Sequence, residues 1–484
     1  MITHSSFLSV LFEHAEKIST KPALIVNDTA ITFFKLKTKI LQAISVLRTL
    51  PLRKGDYIML SAQKDVEFIY IYLAAHYLGV INIVVDAESN KKRIDYIVGL
   101  LSPKYAFGFQ LDNTRCIQYA DIDWNIEPAD EYSQDTGMTD ADVADVLFTT
   151  GTTGLPKGVL LTHDNIISAA HNINGFIGNT QEDREVIALP ICHSFGLGRL
   201  RCNLVLGSTV VLLGSFADMK QFFKTIEDYQ ISGFGMVPSS WAYIRKFSGT
   251  RIAKYAGQIK YIEIGSASMP ITSKQELCEL FPSTRICMHY GLTEASRSAF
   301  MEFHTDYARL NTIGRPVSQY VDIKIYDESG QEVPVGIPGE ICVKGNMVMK
   351  SYYLEKDNEN SFFNGYFRTG DWGYGDSEGY FYLESRKKEL INAGGKKVSP
   401  IEVEEAICSL GIRDCVCIGV EDPKKIMGEI VKAYILKEGC TLSFSEISSG
   451  LRPLLETYKI PLLYEWIDVI PATASGKKQR LSLK

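Results

Sequence analysis

The chain has 484 residues, of which 45% are hydrophobic and 22% are charged, and its formal net charge is −6. This length and composition indicate a globular protein of two or more domains. The negative charge and the lack of a long Lys/Arg run argue against a nucleic-acid partner. The ten cysteines show no disulfide-framework spacing, which favours a reduced, cytoplasmic setting.

The N-terminal region predicts a helix and not a signal peptide, because no cationic segment precedes an apolar one. This amphipathic helix is indicated by Phe7, Leu11, His14 and Ile18. Residues 68–85 are nearly all apolar and approach the length of a membrane span. Gly79 interrupts them, however, and β-branched residues follow it. We therefore interpret the segment as a buried helix, a glycine stop and a buried strand, with a membrane span as the disfavoured alternative.

Strand-like runs alternate with amphipathic segments through the first three-quarters of the chain. These runs are residues 57–62, 79–85, 186–190, 208–213 and 261–264. Such alternation predicts parallel α/β sheet layers. Between residues 321 and 382 the strand-like runs are separated by Gly, Asp and Asn turns, which predicts an antiparallel, barrel-like subdomain. The remaining residues read as helix (400–410), strand (415–420), strand (429–436) and helix (443–455), a compact α+β unit.

The strongest local signal is a loop of glycines and hydroxyls after a strand-like segment, in residues 147–158 (LFTTGTTGLPKG). Glycines let the backbone approach an oxyanion closely, and the threonines with Lys157 supply hydrogen-bond donors to phosphate oxygens. The loop is not a Walker loop, because Pro156 precedes the lysine and Gly158 follows it. An ordinary flexible Gly/Thr turn remains the alternative when the loop is taken alone.

Four further segments make this loop specific. They are residues 290–294 (YGLTE), 367–371 (FRTGD), 386–395 (RKKELINAGG) and 471–477 (PATASGK). Taken singly, Glu294 could serve a helix dipole, Asp371 could form a turn and Lys477 could be a solvated tail lysine. In this order and spacing, the segments resemble the adenylate-forming superfamily of acyl-CoA synthetases, peptide-synthetase adenylation domains and beetle luciferases. The resemblance extends from near Lys21 to Lys484.

The resemblance implies an α/β fold with a large N-terminal domain, made of stacked, mainly parallel sheets with helices and a small β-barrel-like subdomain. A small mobile α+β domain follows. The implied boundaries are residues 1–385, a hinge at 386–388 that includes Lys388, and residues 389–484. The implied enzyme is an AMP-forming acid–thiol ligase closest to the acyl/aryl-CoA ligases, which uses ATP and Mg²⁺. It forms an acyl-AMP, releases pyrophosphate and passes the acyl group to coenzyme A. A phosphopantetheinyl carrier protein is the alternative acceptor.

The resemblance also implies roles for residues of the nucleotide site. The phosphate loop would comprise Thr149, Thr150, Gly151, Thr152, Thr153, Gly154 and Lys157. The rest of the site would comprise Gly265, Ser266, Ala267, Tyr290, Gly291, Thr293, Asp371 and Arg386. Glu294 would ligate Mg²⁺, Lys477 would bridge the acid carboxylate and the α-phosphate, and Gly395 would line the thiol tunnel. Catalysis would depend on Lys477, Glu294, Thr293 and Arg386.

The implied acid-binding residues are mostly apolar or aromatic, which favours an aliphatic or aryl acid. They are His193, Ser194, Phe195, Gly198, Met236, Ile264, His289 and Arg297. Amino-acid-activating relatives place an Asp at the position of Ser194, so an α-amino acid is disfavoured. His193 has the alternative of a packed core histidine. Arg297 does not match an apolar pocket, and it either points to solvent or binds a polar group of the acid.

Two other classes of protein share these motifs. One is a monooxygenase that adenylates its acid and then oxidises it, as luciferases do. The other is a non-catalytic nucleotide-binding protein, which the presence of Lys477, Glu294, Asp371 and Arg386 disfavours. The sequence predicts no nucleic-acid partner and no membrane span.

Overall fold

The computed structural model describes residues 7–130, 137–149, 156–316, 318–387, 389–393, 396–423, 428–472 and 478–483. The helices are α1 (Phe7–Lys17), α2 (Phe33–Arg48), α3 (Val66–Leu78), α4 (Lys91–Leu101), α5 (His163–Ile177), α6 (Ser194–Leu206), α7 (Met219–Asp228), α8 (Pro238–Ser248), α9 (Ile271–Leu280), α10 (Glu355–Asn358), α11 (Pro400–Ser409) and α12 (Phe444–Leu451).

The strands are β1 (Pro22–Val26), β2 (Thr29–Thr32), β3 (Tyr57–Ser61), β4 (Ile81–Val85), β5 (Tyr105–Phe107), β6 (Arg115–Ile117), β7 (Val143–Thr149), β8 (Lys157–Thr162), β9 (Arg184–Ile187), β10 (Thr209–Leu212), β11 (Gly233–Met236), β12 (Tyr261–Ile264), β13 (Arg285–Tyr290), β14 (Ala299–Glu302), β15 (Val321–Tyr326), β16 (Gly339–Gly345), β17 (Ser351–Tyr352), β18 (Phe362–Phe363), β19 (Tyr366–Gly375), β20 (Phe381–Arg386), β21 (Ile391–Ala393), β22 (Lys396–Val398), β23 (Cys415–Glu421), β24 (Glu429–Leu436) and β25 (Leu463–Ile467).

Two large, mainly parallel sheets form the first part of the fold. One has the strand order β14-β13-β12-β11-β9-β10-β1-β2 and the other the order β17-β8-β7-β4-β3-β5-β6. In both, the antiparallel pairs lie towards the ends of the strand order, and the inner pairs are parallel. The largest hydrophobic cluster joins residues of α1, α2, α3, α5 and α6 with residues of both sheets. The predicted arrangement of stacked parallel sheets with helices is confirmed.

The apolar segment at residues 68–85 is a helix, a glycine stop and a strand. Gly79 ends α3 in the left-handed region, with φ of 66°, and β4 then lies inside its sheet between β3 and β7. Every residue of α3 from Phe68 to His76 is buried, which explains why this helix shows no amphipathic pattern. None of the helices in the described ranges has the length and apolar character needed to cross a bilayer.

A buried polar cluster holds α3 against the neighbouring elements. Asp145 of β7 accepts hydrogen bonds of 2.8 Å from Tyr72 and from His76, and it pairs with Arg201 of α6. Burial alone would raise the pKa of Asp145, but Arg201 and His76 together lower it to about 2. The carboxylate is therefore ionised and its charge is neutralised inside the core.

The region predicted to be antiparallel forms a five-stranded sheet in the order β15-β16-β19-β18, with β20 paired to β19. The C-terminal region has a hydrophobic cluster of its own, from Ile391 to Ile460. One predicted element is too long, because α12 ends at Leu451 and not near residue 455. Gly450 and Pro453 explain this early end, since neither residue favours a helix interior.

Candidate active site

The candidate site begins where three neighbouring parallel strands end. Met236 of β11 is paired in register with Ile264 of β12, and Ile264 is paired with Met288 near the end of β13. The loops that follow β12 and β13 therefore leave the sheet at the same edge. Ligands of α/β sheets bind outside the carboxyl ends of the strands, so this edge is a natural binding position.

Tyr290, Asp371 and Arg386 form one cluster, although they come from three different strands. The Tyr290 hydroxyl donates a 2.6 Å hydrogen bond to Asp371 Oδ2, and Arg386 Nε lies 2.8 Å from Asp371 Oδ1. Asp371 and Arg386 are also register partners in the β19–β20 pair. Burial, followed by the neighbouring Asp371 carboxylate, raises the pKa of Tyr290 well above its ordinary value. Tyr290 is therefore a neutral donor that holds the Asp371 carboxylate in place.

Glu294 is connected to the lysine that ends the predicted phosphate loop. Its Oε1 accepts a 2.8 Å hydrogen bond from the Tyr352 hydroxyl. The Lys157 Nζ lies 4.8 Å from the centre of the Tyr352 ring and 3.2 Å from Asp357 Oδ1. Tyr352 thus lies between the predicted metal ligand and the predicted phosphate-binding lysine. Thr149 is the register partner of Lys157 across the β7–β8 pair.

Glu294 and Thr293 fit a magnesium ion chemically. Mg²⁺ is a hard cation that prefers carboxylate, hydroxyl and water oxygens. Glu294 is 7% exposed, and the hydrogen bond from Tyr352 engages only Oε1. A buried carboxylate with one oxygen left for a cation, next to a half-buried threonine hydroxyl, matches this preference.

The loop predicted to hold the adenine follows β12. Gly265 is buried, whereas Ser266 is exposed and has a φ of 72°. A Cβ at Gly265 would lie 2.1 Å from the His289 ring, so only glycine allows this close packing. His289 is thereby fixed behind the loop and not on an open pocket wall. Ala267 is half-buried beside it.

The predicted acid wall is the start of α6. His193 precedes the helix and is half-buried, and a cluster of Asp86, Cys192 and His193 brings one potential ligand atom of each within 4.8 Å of the others. Burial lowers the pKa of His193, which favours a neutral ring. The Ser194 hydroxyl lies 3.4 Å from the Thr293 hydroxyl, so the acid wall and the predicted α-phosphate residue meet here.

A narrow cavity lies beside this meeting point, between α5 and α6. We name it the α5–α6 cavity. Its lining consists of Leu161, Asn165, Ile166, Ala169, Ala170, Ile173, Ser194, Gly198, Arg201, Thr293, Ser296 and Met347. The α5 residues make one wall largely apolar, while serine and threonine hydroxyls come from α6 and from the loop after β13. Its volume of about 20 Å³ has room for one or two waters, so it is a small, largely apolar recess that borders the predicted site of chemistry.

Three of the predicted acid-binding side chains lie behind the site and not on its surface. Met236 and Ile264 have 0% exposure and Phe195 has 5%, and all three belong to one hydrophobic cluster. An acid would have to displace their neighbours to contact Met236 or Ile264. Their role as acid-binding residues stays a prediction that this packing disfavours.

Arg297 does not point to solvent. Only 3% of it is exposed, and its Nε lies 3.2 Å from Glu263 Oε1. The solvent-facing alternative is therefore wrong. The sequence could not reveal this, because Glu263 belongs to a strand that looks like ordinary core.

Several predicted residues fall outside the described part of the chain. They are Thr150, Gly151, Thr152, Thr153, Gly154, Lys388, Gly395 and Lys477. Their roles stay predictions. Sequence reasoning missed Tyr352, Asp357 and Glu263, and no motif marks them, because each acts through a contact with a distant part of the chain.

Comparison with known proteins identifies the class. The family model described as AMP-binding enzyme matches residues 11–353. The 2-succinylbenzoate–CoA ligase of Bacillus subtilis is 31% identical over 484 residues, covering 98% of this chain and 97% of the relative.

Two solved structures of o-succinylbenzoate CoA synthetase from Bacillus subtilis agree with this. The complex with the acyl-adenylate intermediate OSB-AMP has a TM-score of 0.86 and 28% identity, covering 98% of this chain and 97% of that one. The complex with ATP and magnesium ion has a TM-score of 0.85 and 28% identity, covering 98% of both chains.

The fold and the matched motifs define an AMP-forming acid–thiol ligase that uses ATP, Mg²⁺ and coenzyme A. The chain belongs to the AMP-binding enzyme family. The predicted superfamily, fold class and reaction type are confirmed. A carrier protein as the acceptor has no support in these comparisons.

Proposed function

We propose that this ligase activates an aliphatic or aryl carboxylic acid that binds at the start of α6, beside the α5–α6 cavity. The lining of that cavity carries the proposal, because its α5 wall is apolar and the hydroxyls of Ser194, Thr293 and Ser296 border it. With a volume of about 20 Å³ the cavity is too small for the body of the acid, so an apolar acid would widen it against α5, with its carboxylate next to Thr293. The 31% identity to a 2-succinylbenzoate–CoA ligase supports 2-succinylbenzoate as the first candidate acid.

In the proposed reaction, a carboxylate oxygen of the acid attacks the α-phosphorus of ATP. The bond from that phosphorus to its bridging oxygen breaks, and pyrophosphate leaves. The thiol of coenzyme A then loses its proton and attacks the acyl carbon, and AMP leaves with the bonding electrons. Both reactants of the first step are anions, so cations and hydrogen-bond donors at the α-phosphate lower the barrier.

We assign this stabilisation to Thr293 and Lys477, while the loop that ends at Lys157 would hold the β- and γ-phosphates. The Tyr290–Asp371–Arg386 cluster would hold the adenosine, with Asp371 accepting hydrogen bonds from the ribose. Glu294 would hold Mg²⁺, which neutralises part of the polyphosphate charge. Tyr352 orients the Glu294 carboxylate through their 2.8 Å hydrogen bond.

We also propose the division into residues 1–385, a hinge at 386–388 and a mobile domain at 389–484. The separate hydrophobic cluster from Ile391 to Ile460 supports it. Contacts to the rest of the chain include ion pairs between largely exposed groups, such as Lys397 with Glu328 at 2.9 Å. Exposed ion pairs contribute little free energy, so such contacts can exchange when the domain rotates. The rotation would bring Gly395 to the thiol, and a cytoplasmic location stays a prediction.

The test is acid-dependent pyrophosphate release with a panel of acids, followed by detection of the coenzyme A thioester by mass spectrometry. The panel pairs 2-succinylbenzoate with a simple aryl acid, a medium-chain aliphatic acid and an α-amino acid. We expect release with at least one of the first three and a matching thioester. Oxygen consumption or light emission would indicate the monooxygenase class. Nucleotide binding without pyrophosphate release would indicate a non-catalytic protein.

A further inference from the structure

We propose that Arg297 is a positioning residue that holds the acid wall at the start of α6 from behind and does not contact the acid. This inference rests on the proposed function, because it concerns the same α5–α6 cavity. It replaces both roles that the sequence leaves open for Arg297, exposure to solvent and recognition of a polar group.

The Arg297 guanidinium bonds to residues of the cavity wall. Its Nη1 donates to the Ser194 carbonyl at 3.1 Å and to the Ser296 hydroxyl at 3.3 Å, and its Nη2 donates to the Phe195 carbonyl at 3.2 Å. Ser194 and Ser296 line the cavity. One side chain therefore fastens the first turn of α6 to the loop after β13, which carries Thr293.

Gly198 allows this close approach. A Cβ at Gly198 would lie 2.7 Å from Arg297 Nη1, which is too short for unstrained packing. Gly198 also lines the cavity. The absence of a side chain on α6 thus makes room for the guanidinium and not for the acid, which gives a reason for glycine at this position.

The backbone directs Arg297 inward. Arg297 has a φ of 53°, in the left-handed region that residues other than glycine rarely adopt. A Cβ at Gly291 would lie 2.4 Å from the Arg297 backbone nitrogen, so the turn closes tightly upon itself. A conformation of this kind persists only where surrounding contacts hold it, and such conformations cluster at functional sites.

Glu263 anchors the guanidinium on the far side from the cavity. It lies 3.2 Å from Arg297 Nε, and its carboxylate also lies 2.7 Å from His289 Nδ1 and 3.3 Å from Arg199 Nη1. His289 in turn packs against Gly265 of the predicted adenine loop. A continuous set of contacts therefore joins the acid wall, through Arg297 and Glu263, to the nucleotide side of the site.

The charges of this region balance. Arg199 pairs with Glu185 as well as Glu263, so two guanidinium groups face two carboxylates, all of them buried. Removing Arg297 alone would leave an uncompensated buried carboxylate and would destabilise the fold. A test must therefore separate the loss of charge balance from the loss of positioning.

The experiment compares five proteins: wild type, R297L, E263Q/R297L, G198A and G198A/R297L. Thermal unfolding is measured first, and we expect R297L to lose stability and E263Q/R297L to regain part of it. Initial rates of pyrophosphate release then give KM for the acid and for ATP. With the E263Q/R297L variant we expect an acid KM raised about tenfold or more, from the loss of charge-assisted bonds, and a smaller rise in the ATP KM, because Glu263 also contacts His289.

The panel of acids distinguishes positioning from contact. A positioning role raises the KM of every acid by a similar factor, whereas a contact penalises only acids with a polar group that Arg297 would bind. G198A should reproduce the uniform rise, because its methyl group displaces the guanidinium, and it should add little in an R297L background. An E263Q/R297L variant with wild-type acid KM would overturn the proposal, and so would a penalty confined to polar acids. Wild type without acid-dependent pyrophosphate release would overturn the proposed function and this inference together.

Discussion

The Tyr290 hydroxyl and the Asp371 carboxylate are joined by a 2.6 Å hydrogen bond, although 81 residues of chain separate them. Asp371 is 2% exposed and lies on the antiparallel sheet, whereas Tyr290 ends a strand of the large parallel sheet. This bond connects the two sheets at the point where the predicted nucleotide residues meet. Both residues therefore belong to one structural unit.

Tyr290→Phe should weaken ATP binding while leaving the fold intact. The variant removes the hydrogen bond that fixes the Asp371 carboxylate for the ribose, so we expect the ATP KM to rise roughly tenfold. Pyrophosphate release at varied ATP measures the effect. Tyr374→Phe is the matched control. Tyr374 lies on β19, the strand that carries Asp371, and its ring stacks on that of Tyr382 with 4.7 Å between the ring centres. An equal rise in both variants would contradict the assignment.

Tyr352→Phe should raise the requirement for Mg²⁺. The lost 2.8 Å hydrogen bond leaves the Glu294 carboxylate without the partner that orients it. Groups that orient a metal ligand typically change metal affinity by about tenfold to a hundredfold. We expect the Mg²⁺ concentration for half-maximal pyrophosphate release to rise about tenfold. Tyr353→Phe, one residue further on, should behave as wild type, and an unchanged Mg²⁺ dependence of Tyr352→Phe would remove Tyr352 from the site.

Lys477→Ala should separate the two half-reactions. The sequence assigns Lys477 to the meeting point of two anions, so acyl-AMP formation should fall about 10²–10³-fold, as expected for one lost donor. Thioester formation from supplied acyl-AMP should remain largely intact. Each half-reaction is measured alone, the first by pyrophosphate release and the second by coenzyme A consumption. Equal losses in both would show that Lys477 lacks this role.

His163→Gln should make the free energy of unfolding depend less on pH in the acidic range. Burial, followed by the charge of His76, lowers the pKa of His163 from its ordinary value of 6.5 to about 3. Between these values the unfolded chain binds the proton and the folded chain does not. The free energy of unfolding contributed by this group therefore falls as pH drops from about 6.5 to 3.

Urea unfolding at pH 7, 5.5 and 4 measures this dependence. The free energy of unfolding of the variant should fall less steeply with decreasing pH than that of wild type. The difference in slope should be at most that expected for one proton bound on unfolding. Identical slopes for the two proteins would mean that His163 is not held neutral in the fold.

The sequence predicted those parts of the fold in which local pattern and packing agree. Strands β12 and β24 occupy the predicted residues, because their apolar runs are bounded by turn residues. Strand β9 begins and ends earlier than predicted, since residues 188–190 leave the sheet to reach α6. Periodicity marks a buried run but not the residue at which pairing stops.

The site was predictable only where a motif carries its own chemistry. Tyr290, Asp371 and Arg386 are brought together as the order of the motifs implies. The environment of Arg297 could not be predicted, because it depends on the strand residue Glu263 and on an unusual φ. Tyr352 was missed for a similar reason, since its partner Glu294 is 58 residues away in sequence.

Helix α3 has a consequence for how the protein is made. Every residue of this helix from Phe68 to His76 is buried in the fold, so the helix has no solvent-exposed face over this range. Its polar partners Asp145 and Arg201 come much later in the chain. When only the first quarter of the chain has been synthesised, the apolar helix α3 has therefore emerged before the segments that bury it. Such intermediates are prone to aggregate and are typical clients of chaperones. Expression of fragments that stop before α6 should consequently yield insoluble material, whereas the complete chain shields this helix.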